Sequence, residues 1–168
     1  MLRKILLALF LTVSVAFSAT LDDAKSYSAT AYKYYQDGNY PKSLEFLTKA
    51  LEIREKALGK DHPDTATSYN NIGIVYKNMG DYPKALEFFT KALNINEKVL
   101  GKDHPATALS YNNIGSVYSD MGDYPKALEF FTKALNINEK VLGKDHPATA
   151  LSYNNIGSVY SDMGDYPK

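Results

Sequence analysis

MGDYPKALEFFTKALNINEKVLGKDHPATALSYNNIGSVYSDMGDYPK occupies residues 79–126 and recurs, letter for letter, at residues 121–168. The offset sets a period of 42 residues, and a period of this size signals stacked supersecondary units rather than one closed core. The step extends beyond the identical stretch. Gly38, Gly80, Gly122 and Gly164 keep it, as do Tyr40, Tyr82, Tyr124 and Tyr166, and His62, His104 and His146. The first copy diverges most, with Ala31 where later copies have Gly73, Gly115 and Gly157, and Ser43 where they have Ala85 and Ala127.

Within residues 64–105 the pattern reads as two helices. Tyr69, Ile72, Gly73 and Tyr76 are spaced i, i+3, i+4, i+7, one face of an α-helix. Pro63 suits its first turn, where a missing N–H costs nothing. Gly80 suits its end, because glycine accepts the left-handed conformation there. Pro83 starts a second helix three residues later, so the two are antiparallel neighbours. Ala85, Leu86, Phe89, Ala92, Leu93 and Val99 form the expected buried stripe of that helix, and Glu87 and Lys91 pair at i, i+4 outside it. Gly73 and Ala85 mark the closest crossing, and Ala92 the contact with the next copy. One helix pair cannot bury both its apolar faces, so each copy depends on its neighbour. The expected fold is an all-α right-handed superhelical solenoid of antiparallel helix pairs.

The first residues differ in kind. Arg3 and Lys4 precede an apolar run from Ile5 to Phe17, and Ala16-Phe17-Ser18 offers small residues at −3 and −1. This is the pattern of a secretory signal peptide cleaved after Ser18, which predicts a secreted or periplasmic protein. An uncleaved anchor is the other reading, although 13 residues fall short of the roughly 20 a membrane span needs. The expected organisation is a signal peptide at 1–18 and a repeat array at 19–168. Its units fall at about 24–63, 64–105 and 106–147, with a partial unit at 148–168. Pro167 opens a helix that residues up to Lys168 do not complete, which suggests truncation.

Composition narrows the function. The 168 residues carry 19 basic and 19 acidic side chains; without Arg3 and Lys4 the balance is 17 to 19, a net charge of −2. With no basic run in the repeats, nucleic acid is not an expected partner, and no membrane contact is expected after leader cleavage. The chain has no cysteine, which excludes disulfides and thiolate chemistry. The recurring Asp-His-Pro does not suggest a metal site. Equivalent histidines on successive units stand on the order of 10 Å apart, whereas zinc ligands lie about 2 Å from one centre. Asp61, Asp103 and Asp145 are the expected acceptors at the following helix starts. No catalytic constellation and no cofactor are expected.

Tyr69, Ile72-Gly73, Tyr76, Gly80, Tyr82, Ala85, Phe89 and Ala92-Leu93 resemble, at matching spacing, the tetratricopeptide repeat signature. The longer unit, with Leu-Gly-Lys-Asp-His-Pro followed by Asn-Asn-Ile-Gly, is similar to the repeats of kinesin light chains and of many bacterial repeat proteins. The resemblance implies a protein-binding scaffold whose first helices line a concave groove. The groove face left after packing carries Thr67, Asn70, Ile74, Lys77 and Asn78 in the second unit, and Leu109, Asn112, Ser116, Ser119 and Asp120 in the third. The fourth unit presents Leu151, Asn154, Ser158, Ser161 and Asp162, and the first Lys25, Ser28, Tyr32, Tyr35 and Gln36.

Asn70, Asn112 and Asn154 form a ladder whose amides offer donor and acceptor together. The resemblance implies that they grip a peptide backbone; alternatively Asn70 or Asn71 bonds to adjacent helices. Ile74, Lys77, Ser116, Ser119, Ser158 and Ser161 complete the candidate binding set. With only Lys25 and Lys77 as cations in the groove, capture of a terminal carboxylate is not expected. The leading expectation is thus a scaffold for an extended peptide or partner segment. Two others stand beside it: the docking or sensor region of a larger enzyme, and an envelope-assembly protein that self-associates through an uncapped C-terminal unit.

Overall fold

A computed structural model describes residues 21–164. The leader and its cleavage after Ser18 lie outside these residues, as do 165–168. The fold is an all-α repeat solenoid, and the described residues contain helices and turns without strands. Residues 21–36 form α1; then follow α2 (Tyr40–Leu58), α3 (Pro63–Asn78), α4 (Tyr82–Val99), α5 (Pro105–Asp120), α6 (Tyr124–Leu142) and α7 (Pro147–Asp162). No described helix is long and apolar enough to cross a membrane. The chain divides into two compact bodies, with the boundary between Ser68 and Tyr69.

In the first body Ala24 and Ala31 of α1 and Leu47 and Ala50 of α2 are buried. Tyr34 stacks on Phe46 at 5.6 Å, with Lys42 and Lys49 each about 5 Å from one of the two rings.

The second body repeats one plan. The α3–α4 turn closes as a Schellman motif: Gly80 at φ +77° donates to the Lys77 carbonyl, and Asp81 donates to that of Tyr76. Asp81 then caps α4 by accepting from the Lys84 N–H at 3.3 Å. The Lys84 ammonium beside it, at 2.9 Å, holds the Asp81 carboxyl below the usual carboxylate range. The core is built from Ala85, Phe89, Ile114 and Val117, and in the following repeat from Ala127, Phe131 and Val159. Gly73 and Gly115 are needed for close approach, since a Cβ at either would sit 2.7–2.8 Å from the ring of Phe89 or Phe131.

Two expectations need correction. Val99 is 47% exposed, because at the last residue of α4 the chain is already turning away. The stripe runs instead through Ile95 and Asn96, both buried. Nor does the aspartate of Asp-His-Pro cap the next helix. His104 does so, its Nδ1 accepting from the Ala106 N–H at 3.1 Å, and His62 and His146 repeat the bond. Asp103 instead reaches Lys140 of the following repeat, at 2.5 Å. The loop geometry decides this: the Thr107 hydroxyl donates to the Gly101 carbonyl at 2.8 Å, and His104 N–H donates to the same oxygen. That closure sets the imidazole, one residue nearer the helix, over its first free N–H. An accepting Nδ1 requires the tautomer protonated on Nε2. His104→Ala is expected to lower stability by about 1 kcal/mol, and His104→Asp to restore it, as judged by urea denaturation.

Candidate functional site

The candidate face is built from the first helix of each pair, so the neighbours of those helices decide which residues are available. In the second body the structure brings several of the predicted residues together. Lys77 extends from α3 to α5, where its ammonium donates to the Ser116 hydroxyl at 2.8 Å and pairs with Asp120 at 3.3 Å. Such a partly exposed pair is worth at most about 1 kcal/mol; its main consequence is to fix Lys77 sideways along the array. Ile74 is half-buried against the cluster of Ala85, Phe89, Ile114 and Val117.

The asparagine ladder is partly internal. Asn70 and Asn112 are each only 9% exposed. Asn70 accepts from the Asn113 amide at 3.4 Å, so the Asn-Asn pair links adjacent first helices. The Asn112 Oδ1 is buried without a partner among the described residues. Asn154, Ser158 and Ser161 are exposed and Ser119 half-buried, and these four make no side-chain hydrogen bond among the described residues. Leu109 and Leu151, one repeat apart on the same face, are each 52% exposed.

Several residues that position this face escaped the sequence reading. Buried Asn96 donates to the Ser110 hydroxyl at 3.0 Å and to the Ala106 carbonyl at 3.2 Å, clasping α4 to α5. Asn138 clasps α6 to α7 through Ser152 and Ala148 in the same way. The signal was present as an Asn–Ser spacing of 14, repeated at the 42-residue step. Tyr111 adds a second clasp by donating to Glu97 at 2.5 Å, and Tyr153 donates likewise to Glu139. Phe88 and Phe130, unlike their buried neighbours, stack on Tyr76 and Tyr118 at 5.5 and 5.6 Å beneath lysines.

Burial first, and the bond to Glu97 second, push the Tyr111 phenol up to about 12. The fold thus favours the neutral phenol. Its contribution is complete below the free phenol's titration near pH 10 and is lost as the pH rises through about 12. The urea midpoint of the wild type is expected to fall more steeply across that interval than that of Tyr111→Phe.

Each histidine Nδ1 is engaged in a helix cap. Among the described residues no three His, Asp or Glu side chains are placed to hold a metal ion. The face offers exposed hydroxyls and amides, and two leucines, on a scaffold cross-linked between repeats.

The tetratricopeptide repeat profile matches residues 22–98, 72–140 and 110–168, and the chain belongs to the tetratricopeptide repeat family. It is a repeat scaffold of the kind that makes protein–protein contacts. Among solved structures it is similar to BtubC (BKLC) from P. vanneervenii, with 27% identity and a TM-score of 0.75 over 84% of this chain and 57% of that one. It is also similar to a kinesin-light-chain-like protein of Podosopora anserina with nearly identical TPR-like repeats. There the identity is 25% and the TM-score 0.73, over 84% of this chain and 67% of the other. The apo form of RapI shares the fold, at 23% identity and a TM-score of 0.73 over 87% and 51% of the two chains. The chain therefore spans little more than half the length of BtubC and of RapI. None of the curated proteins matches it.

Proposed function

We propose that this chain holds an extended peptide or partner segment along the face that the first helices form within the second body. One observation carries the reading: Leu109 and Leu151 recur at the 42-residue step on that face, half exposed, above Ser119, Asn154, Ser158 and Ser161. Isolated exposed leucines need no explanation, but leucines in register with a polar row suit a ligand that repeats its contacts. The links from Lys77 to Ser116 and from Asn113 to Asn70 fix the first helices in advance, which lowers the ordering cost of binding. The burial of Asn70 and Asn112 shifts the contact toward the leucines and serines and gives these two asparagines a spacing role.

Peptides selected from a random extended library on the whole chain test this. Leu109→Asp with Leu151→Asp is expected to weaken the selected peptides about tenfold or more, with an unchanged thermal melt, since both side chains are exposed. Equal binding by this variant would refute the groove. Asn154→Ala is expected to weaken binding more than Asn112→Ala.

Export is proposed on the strength of Arg3-Lys4, the apolar run from Ile5 to Phe17 and the small residues before Ala19. Mass spectrometry of the product made in an export-competent bacterium is expected to find a mature chain beginning at Ala19. An intact Met1 terminus would reject that.

A further inference from the structure

Helices α5 and α7, residues 105–120 and 147–162, share one sequence but not one environment. On α5 the stripe Ala108, Tyr111, Gly115 and Tyr118, spaced i, i+3, i+7, i+10, is covered along its length by α6. Ala108 is buried with Ala134 and Ile137. The Phe131 ring fills the notch at Gly115, where a Cβ would meet it at 2.8 Å. Phe130 lies against both tyrosines, 6.1 Å from the Tyr111 ring and 5.6 Å from that of Tyr118, with Lys133 and Lys126 over them. Helix α4 covers α3 in the same way, with Phe89 at Gly73 and Phe88 on Tyr69 and Tyr76.

On α7 the same stripe is Ala150, Tyr153, Gly157 and Tyr160. All four are exposed, the tyrosines at 46% and 41%. Outside α7's own backbone, no described atom lies within 4 Å of the Gly157 Cβ position. The helix is nonetheless held as α5 is: Tyr153 donates to Glu139 as Tyr111 does to Glu97, and Val159 and the Asn138 clasp fix α7 to α6. The notch is therefore formed before anything fills it, which lowers the ordering cost of filling it.

We infer that the α7 stripe docks one helix of another polypeptide, patterned as α6 is: Lys-x-x-x-Phe-Phe-x-Lys-Ala. The second aromatic enters the Gly157 notch, and the first lies across Tyr153 and Tyr160. The two lysines cover the tyrosine faces, and the alanine lets the helix close on Ala150. Among the described residues the helices nearest this pattern are α2, α4 and α6, and each already packs on the first helix of its own pair. A second copy therefore has no such helix to give without opening one of its own pairs. This surface is distinct from the proposed groove, because Leu151 and Ser158 each follow a stripe residue and point about 100° away from it.

The probe is a fluorescently labelled peptide of the α6 sequence, Tyr124–Leu142, titrated into the full chain and followed by anisotropy. Saturable one-to-one binding is expected, with a gain of peptide helicity by circular dichroism. Phe131→Ala in the peptide is expected to weaken it about tenfold or more. Gly157→Ala in the chain separates binding from folding. Its urea midpoint is expected to rise, since no described neighbour meets the new methyl, while its affinity for the peptide falls about tenfold, because that methyl takes the place of the ring. The Leu109→Asp, Leu151→Asp chain is expected to bind the peptide as the wild type does, so this surface and the groove can fail separately. A wild type that the peptide does not saturate would overturn the inference. So would wild-type-like affinity in Gly157→Ala, which would place the peptide elsewhere or in exchange for the chain's own α6. Sedimentation showing that the chain pairs with itself through α7 and excludes the peptide would also overturn it, in favour of a second copy.

Discussion

Truncating Phe131 to alanine is expected to lower stability by about 3–5 kcal/mol, the largest single-residue effect in this chain. The ring is 3% exposed and packs with Ala127 and Val159, bordered by Tyr118, Leu128 and Ile156. It therefore joins α5, α6 and α7 at once, and its loss leaves a cavity that three helices cannot all close. A single repeat cannot stand without its neighbour, so the loss should appear first as weakened hydrogen-exchange protection of α7, then as a lower urea midpoint. The adjacent Phe130 provides the control. It is half-buried and stacks on Tyr118 at 5.6 Å under Lys133, so Phe130→Ala should cost clearly less. Equal losses from the two variants would show that the two rings support the core alike.

Gly115→Ala is expected to destabilise by up to about 2 kcal/mol, whereas Gly157→Ala, in an identical sequence context, should stabilise by up to about 1 kcal/mol. At Gly115 a Cβ would lie 2.8 and 2.9 Å from Phe131 Cδ1 and Cε1. That ring is enclosed and cannot swing aside, so the helices must separate, at about 1–3 kcal/mol; the better helix propensity of alanine returns about 1 kcal/mol. At Gly157 no described atom lies within 4 Å of the Cβ position, and only the propensity gain remains. Urea midpoints of the two variants check the contrast. A Gly115→Ala protein as stable as the wild type would mean that the crossing has slack.

Local regularity was legible in the sequence because it depends on spacing alone. The 42-residue step, Pro63 and Pro83 at helix starts and Gly80 at a helix end all report on the backbone of one segment, and the helices follow them. The small-residue reading of Gly73 also succeeded, since a Cβ there would meet the Phe89 ring at 2.7 Å, and close approach leaves a direct mark on side-chain size. The candidate face was legible as a set of positions but not as a set of environments. Asn70 and Asn154 share one register, yet Asn70 is 9% exposed against a neighbouring helix and Asn154 lies open.

Sequence by itself determined that this chain is an all-α array of helix pairs and which side of each helix is apolar, because both follow from periodicity along one segment. Tertiary structure alone decided between nearby candidates: His104 over Asp103 for the cap, and Ile95 and Asn96 over Val99 for the stripe. It alone brought the Arg54 guanidinium of α2 to the Ser28 hydroxyl of α1, at 3.1 Å. Neighbouring residues in a helix differ by about 100° in direction, and only the packed neighbour settles which direction is buried.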